Sequence, residues 1–297
     1  MTKSKPAFRK LYLFVRLAKA QAPSKRVRLT RKNLALFDKS ASSAAKTAST
    51  TTSGFAVQAY KNGILPPALS KPPTNLGDIR KRHRQRSGTA SPTKVYNQPF
   101  TGFPKDVGFN NGLSAPQPDF IEGLGMQEYR PFPVDEHVSG AVLYKDNLLS
   151  LTLPHLAGEW KGPGKDMVGA RLQSGYDGAA LVFARNQALA LIGKPDPPGH
   201  AAVTTFTTDG TSLNLFVHYA SPSEDGAALE YHQYPVNSTN LVGSHQGLKT
   251  GRRGLRNEQD HAKERSYALR DQLKEHWRQR QDHLQAVVED PEAAERR

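Results

Sequence analysis

The stretch from residue 149 to residue 219 constrains this chain more than any other, because its apolar pattern changes period twice. Residues 149–161 carry the pattern of a strand, interrupted near Pro154. Gly162-Pro163-Gly164 then breaks the backbone, and Asp166 stands where a helix N-cap belongs. Residues 166–192 read as one long helix, apolar enough to lie against a sheet. Residues 201–208 and 211–219 read as strands around the turn Asp209-Gly210, and 229–234 as a third. Upstream, 138–145 adds another strand. Strand–helix–strand order followed by a meander predicts an α/β or α+β fold and excludes an all-helical one.

The rest of the chain is organised by charge. Residues 1–100 hold 21 Lys+Arg against two acids, Asp38 and Asp78; residues 101–250 hold 9 against 15, and residues 251–297 hold 11 against 10. The net charge of +14 therefore belongs to an N-terminal arm, while the middle of the chain is acidic. Residues 1–94 read as a mostly disordered basic arm and linker, with short helices expected only at 8–20 and 30–39. Pro66-Pro67 and Pro72-Pro73 oppose regular structure around them. Residues 95–250 form the expected folded domain. Residues 251–297 form a polar C-terminal helix and tail, with an apolar stripe of Leu269, Leu273, Trp277, Leu284 and Val287. Arg280 falls within that stripe and argues against a coiled coil.

An arm of this kind attracts phosphate backbones without reading sequence. Its densest part, Arg80, Lys81, Arg82, Arg84 and Arg86, is a candidate nucleic-acid-binding cluster and also resembles a nuclear-import signal. The acid-free, Arg/Lys-rich first 37 residues leave a mitochondrial presequence open, and a cytoplasmic location is a third reading. The absence of cysteine excludes disulfides, Cys-ligated zinc, iron–sulfur clusters and a thiol nucleophile. No apolar run approaches the roughly 20 residues that span a bilayer, so no membrane partner is expected.

The chemistry concentrates at Pro118-Asp119 and Glu159-Trp160-Lys161. On a strand, residues two apart share a face, so Glu159 and Lys161 point together and Trp160 points away. With Asp119 on the neighbouring strand, two carboxylates converge beside an ammonium. Two hard oxygen ligands with a backbone carbonyl, that of Trp160, suit Mg²⁺ or Mn²⁺. Lys161 would orient a water or neutralise developing charge.

These residues resemble the PD-(D/E)xK nuclease superfamily, with Pro118-Asp119 as the first half of the motif and Glu159-Trp160-Lys161 as the second. The resemblance covers residues 95–250. It implies a restriction-endonuclease-like mixed sheet flanked by helices, with a long helix directly after the second half-motif. It implies metal ligation by Asp119 and Glu159, a catalytic Lys161, and a supporting Gln173 that, with Tyr176, is similar to the helix pair of RecB-type exonucleases. The activity implied is Mg²⁺- or Mn²⁺-dependent hydrolysis of DNA or RNA. An inactive nucleic-acid-binding or protein-interaction scaffold of the same fold is the alternative. The motif halves stand far apart and require an insertion at 123–136. Residues 95–118 show no helix pattern, so the first core helix with its additional acid is expected to be missing or supplied by 30–39 with Asp38. Asp135, Glu136, His137 and His155 are weaker metal-ligand candidates, and His232, in an expected strand, reads as structural. Tyr96, Phe100, Phe103 and Phe109 are expected to pack the loop before the first strand rather than stack on bases.

Overall fold

In a computed structural model, residues 52–82, 93–144, 147, 149–162 and 165–289 are described. Their elements, in chain order, are α1 (Thr52–Lys61), β1 (Ile64–Leu65), α2 (Leu76–Arg82), β2 (Thr93–Val95), β3 (Phe120–Gly125), a 3-10 turn (Met126–Tyr129), α3 (Val134–His137), β4 (Leu151–Trp160), α4 (Met167–Leu191), β5 (Val203–Thr208), β6 (Ser212–Pro222), β7 (Leu229–Asn240) and α5 (His245–Glu289). The strands form one seven-stranded sheet in the order β1-β7-β6-β5-β4-β3-β2. β2, β3 and β4 pair antiparallel, β4 and β5 parallel, and β5, β6 and β7 antiparallel, with β1 parallel to β7. The fold is thus α/β with a mixed sheet flanked by helices.

The parallel β4–β5 pair obliges the chain to cross over one face of the sheet, and α4 makes that crossing. Asp166 caps it, its side chain accepting a hydrogen bond from the Val168 amide. Nine of the ten β4 residues are buried, as expected of a strand covered on both faces. On the α4 face lie Ala157, Tyr176, Ala179, Val203 and Tyr231. On the other, Phe120, Leu156, Phe206, Leu213 and Leu215 pack with Trp160, Leu241 and Leu255, the last on α5. Leu153 adopts φ 45° before Pro154, where the β3–β4 register also shifts, so the interruption expected near Pro154 is a bulge within one strand. Among the described residues, no helix is long and apolar enough to cross a membrane.

Several expectations need correction. The strand expected over 138–145 is not formed by its described residues, 138–144: only Val142 bridges, to Thr152. The left-handed turn at Gly140 leaves Ala141–Tyr144 too short to build a ladder, and Ala141, Leu143 and Tyr144 instead fill the core from a connector. The third strand, expected over 229–234, runs on to Asn240 and passes Pro235 at a register irregularity against β6. Residues 52–82, assigned to a disordered arm, contain α1, β1 and α2. α1 closes on α4 through an edge-on contact of Phe55 with Tyr176, and Ala59 is fully buried. A helix therefore does precede the sheet, although it lies outside both 95–118 and 30–39. The helices expected at 8–20 and 30–39, with Asp38, lie outside the described residues. In α5, Leu269 and Leu273 are buried on the body and Trp277 packs against the same core. Leu284 is 49% exposed, so the packing surface of the stripe does not extend to it.

Candidate functional site

β4 and β5 end side by side, and the chain after β4 enters α4, so the carboxyl ends of two central strands meet the first turns of a helix. Open α/β sheets present functional groups at such a position. The β3–β4 ladder reaches its last pair at Phe120 and Gly158. Beyond it, side chains replace the backbone ladder. The Trp160 amide donates to Asp119 Oδ2 at 2.9 Å, and the Asp119 amide donates to Glu159 Oε1 at 3.3 Å. These two bonds bring both acids to the same strand end. The Lys161 amide extends the β4–β5 pairing by donating to the Thr208 carbonyl at 3.0 Å. Its ammonium lies 3.6 Å from Glu159 Oε2. Glu159 and Lys161 thus share a face, with Trp160 packed on the opposite one.

α4 adds a third acid absent from the sequence reading, Asp177. It is buried, and its carboxyl hydrogen-bonds that of Glu159. Two carboxyls can do this only by sharing a proton. Desolvation raises Glu159 well above the ordinary carboxylate range, and the neighbouring Asp177 and Asp119 raise it further. Burial pushes Asp177 up to about 8. Burial also raises Asp119, against the opposing pull of the Trp160 amide and Lys161. Asp177 Oδ2 is buried with no hydrogen-bond partner. Three converging carboxyls therefore face one ammonium. Among the described residues no three His, Cys, Asp or Glu side chains stand ready as a metal cluster; the three acids are joined in series through Glu159.

The remaining expected site residues fall elsewhere. Gln173, one helical turn before Asp177, is exposed and makes no hydrogen bond to the acids. Tyr176 is a core residue whose hydroxyl donates to the Ser114 carbonyl. Arg80 and Lys81 are exposed on α2, whereas Arg82 is half-buried beside Glu258 of α5. Arg84 and Arg86 lie outside the described residues. His155 bonds Ser266 Oγ at 2.8 Å, His232 bonds Ser221 and stacks on Tyr219, and His137 stacks on Phe132. Asp135 and Glu136 are exposed on α3. Phe100, Phe103 and Phe109 are buried and Tyr96 packs on Phe120, so the aromatics form packing, as expected. A cleft of 290 Å³ lined by Arg185, Asp196, His200 and His218 lies by the start of β5, at the far end of the sheet from the carboxyls.

One signal could have identified Asp177. It is the only acid between Met167 and Leu191, set among Gly and Ala in an otherwise apolar helix face. No family model, curated protein or solved structure matches this chain.

Proposed function

We propose that this chain is a divalent-cation-dependent phosphodiester hydrolase acting on DNA or RNA, built on a restriction-endonuclease-like fold. The observation that carries this reading is the convergence of Asp119, Glu159 and Asp177 beside Lys161, where the carboxyl end of β4 meets α4. The half-motifs on neighbouring strands, with a long helix directly after the second, support the same assignment. The donor set fits a hard cation: it consists of carboxyl oxygens, and Asp177 Oδ2 is buried without a partner. Asp119, Glu159 and Asp177 would hold Mg²⁺ or Mn²⁺, with Asp177 taking the place of the additional acid that the resemblance assigns to a first helix. Bound there, the cation would lower the pKa of a coordinated water and offset charge on a phosphate.

The chain's own residues do the rest. The Trp160 amide holds Asp119 through Oδ2 and leaves Oδ1 free of that bond. Glu159 is locked on one oxygen by the Asp119 amide and on the other by Lys161. Lys161, with 27% of its side chain exposed, is the member able to reach a scissile phosphate, where its charge stabilises the extra negative charge of the transition state. Gln173, exposed on α4 one turn before Asp177, would be available to a substrate rather than to the acids.

The test is cleavage of DNA and RNA substrates by the full chain with Mg²⁺ or Mn²⁺. Chelator should stop the reaction, and Lys161→Ala should slow it roughly 10²–10³-fold. A folded protein that cuts no substrate with either cation would favour the inactive binder or scaffold of the same fold.

A further inference from the structure

The notable surface outside the carboxyl site lies where α2 meets the first turns of α5. Residues 245–256 of α5 carry Lys249, Arg252, Arg253 and Arg256 and no acid, whereas residues 257–289 carry six Lys+Arg against seven acids. The cations are therefore segregated at one end of the helix. That is the end where the helix's own dipole favours acidic residues, and its first turn has none.

The chain fold then adds a second basic segment, about 170 positions away in sequence. The Asn257 side chain donates to the Arg82 carbonyl at 3.2 Å, which sets the last turn of α2 beside the third and fourth turns of α5. Arg82 itself turns inward, near Glu258, and leaves Arg80 and Lys81 exposed. Lys249, Arg253 and Arg256 are also exposed, and Arg252 is half-buried. No ion pair among the described residues engages any of these six cations. Of the nearby acids, Glu258 accepts from Thr204 and Asp78 faces Arg82, while Asp260 follows Arg256 by one helical turn. The surface also connects with the carboxyl site. Leu255, between Arg253 and Arg256, packs in one apolar cluster with Trp160, the residue between Glu159 and Lys161.

We infer that Arg80, Lys81, Lys249, Arg252, Arg253 and Arg256 form a single anchoring surface for the phosphodiester backbone of a nucleic acid. It holds a non-reacting stretch of backbone on the α5 side of the sheet, while the chain passes round the strand ends toward Lys161. The inference rests on the nucleic-acid substrate proposed above, but it concerns binding and not hydrolysis. Unpaired surface cations at successive helical turns suit a repeated negative charge, and an anchor of this type reads no sequence.

The experiment uses the full chain in EDTA, so that neither metal nor cleavage enters. Anisotropy of a labelled DNA duplex of about 20 base pairs, titrated at several salt concentrations, gives affinity and salt slope. Arg253→Gln combined with Arg256→Gln should weaken binding about tenfold and reduce the slope by about 2, the loss of two phosphate contacts. Arg80→Gln combined with Lys81→Gln should do the same from the other segment, with circular dichroism and Mn²⁺ uptake unchanged in both variants. Unaltered slopes in either variant would overturn the single surface. So would retention of the DNA slope with loss of binding to phosphatidylserine vesicles, which would make the partner a membrane surface. Slopes that fall in a protein that cuts no nucleic acid would uphold the anchor while the hydrolase reading fails.

Discussion

Asp177 is held under Glu159 with an oxygen that accepts no hydrogen bond, an arrangement that costs stability unless something cationic offsets it. Asp177→Asn should therefore stabilise the metal-free protein by about 1–2 kcal/mol in urea unfolding, while abolishing Mn²⁺ uptake. A purely structural acid would show the opposite, a loss of stability with no effect on metal. The histidines set a separate pH dependence. Burial lowers His218 to about 3, and burial first, then neighbouring cations, lower His232 and His261 to about 4. Each is neutral when folded, and its stabilising share is fully present above the unfolded value of 6.5. That share is lost as pH falls toward the folded values, because the unfolded chain binds the protons first. The histidine share should thus fall from pH 6.5 to pH 4, opposed over the same range by Asp177 and Glu159, whose raised values favour the folded state as pH falls. His218→Gln should remove up to about 3 kcal/mol of this pH-dependent change between pH 6.5 and pH 4, read from urea midpoints across the range. At this scale Asp119, Glu159 and Lys161 were legible in sequence because strand alternation alone puts Glu159 and Lys161 on one face. Asp177 was not, because its place over Glu159 depends on how α4 registers on the sheet.

That register is set by close packing and a buried polar chain. Gly178 of α4 faces the His218 ring so closely that an added Cβ would overlap it. The chain runs from the Gln233 amide to Ser174 Oγ at 3.3 Å, from Ser174 to Thr205 at 2.6 Å, and from Thr205 to His218 Nε2 at 2.7 Å. It ties α4 to β5, β6 and β7. Gly178→Ala should destabilise the protein by about 1–3 kcal/mol through overpacking. Because Asp177 is the adjacent residue, the same variant should weaken Mn²⁺ binding; thermal melting beside a Mn²⁺ titration reads both effects. The helix at 166–192 and the hairpin at Asp209-Gly210 were legible because breakers and caps bound long periodic runs. α1 was not. It follows a Ser/Thr/Ala tract, its ten residues give a weak local signal, and it is supported by burial of Ala59 and by Phe55 against Tyr176. The connector at 138–144 has strand-like composition but bridges only at Val142, which only the tertiary fold reveals.

Across the molecule, charge is unevenly placed: three acids converge at one end of the sheet, and cations collect on α2, the first turns of α5 and the N-terminal segment. Residues 1–51 hold 13 Lys+Arg against one acid. Their removal should flatten the salt dependence of nucleic-acid binding further than the α5 substitutions do, as measured by the same anisotropy titration. An unchanged slope would assign that segment to delivery within the cell instead. The overall charge asymmetry was plain in sequence, but the meeting of α2 with α5 was not, since it joins segments about 170 positions apart. The proposed hydrolase rests on the three carboxyls, and calorimetric titration of Mn²⁺ into the full chain tests them most directly. The wild type should show saturable Mn²⁺ uptake, lost in Asp119→Asn, Glu159→Gln and Asp177→Asn, each still folded by circular dichroism. A folded wild type that takes up no Mn²⁺, or a Glu159→Gln variant that binds it as well as the wild type, would contradict the account.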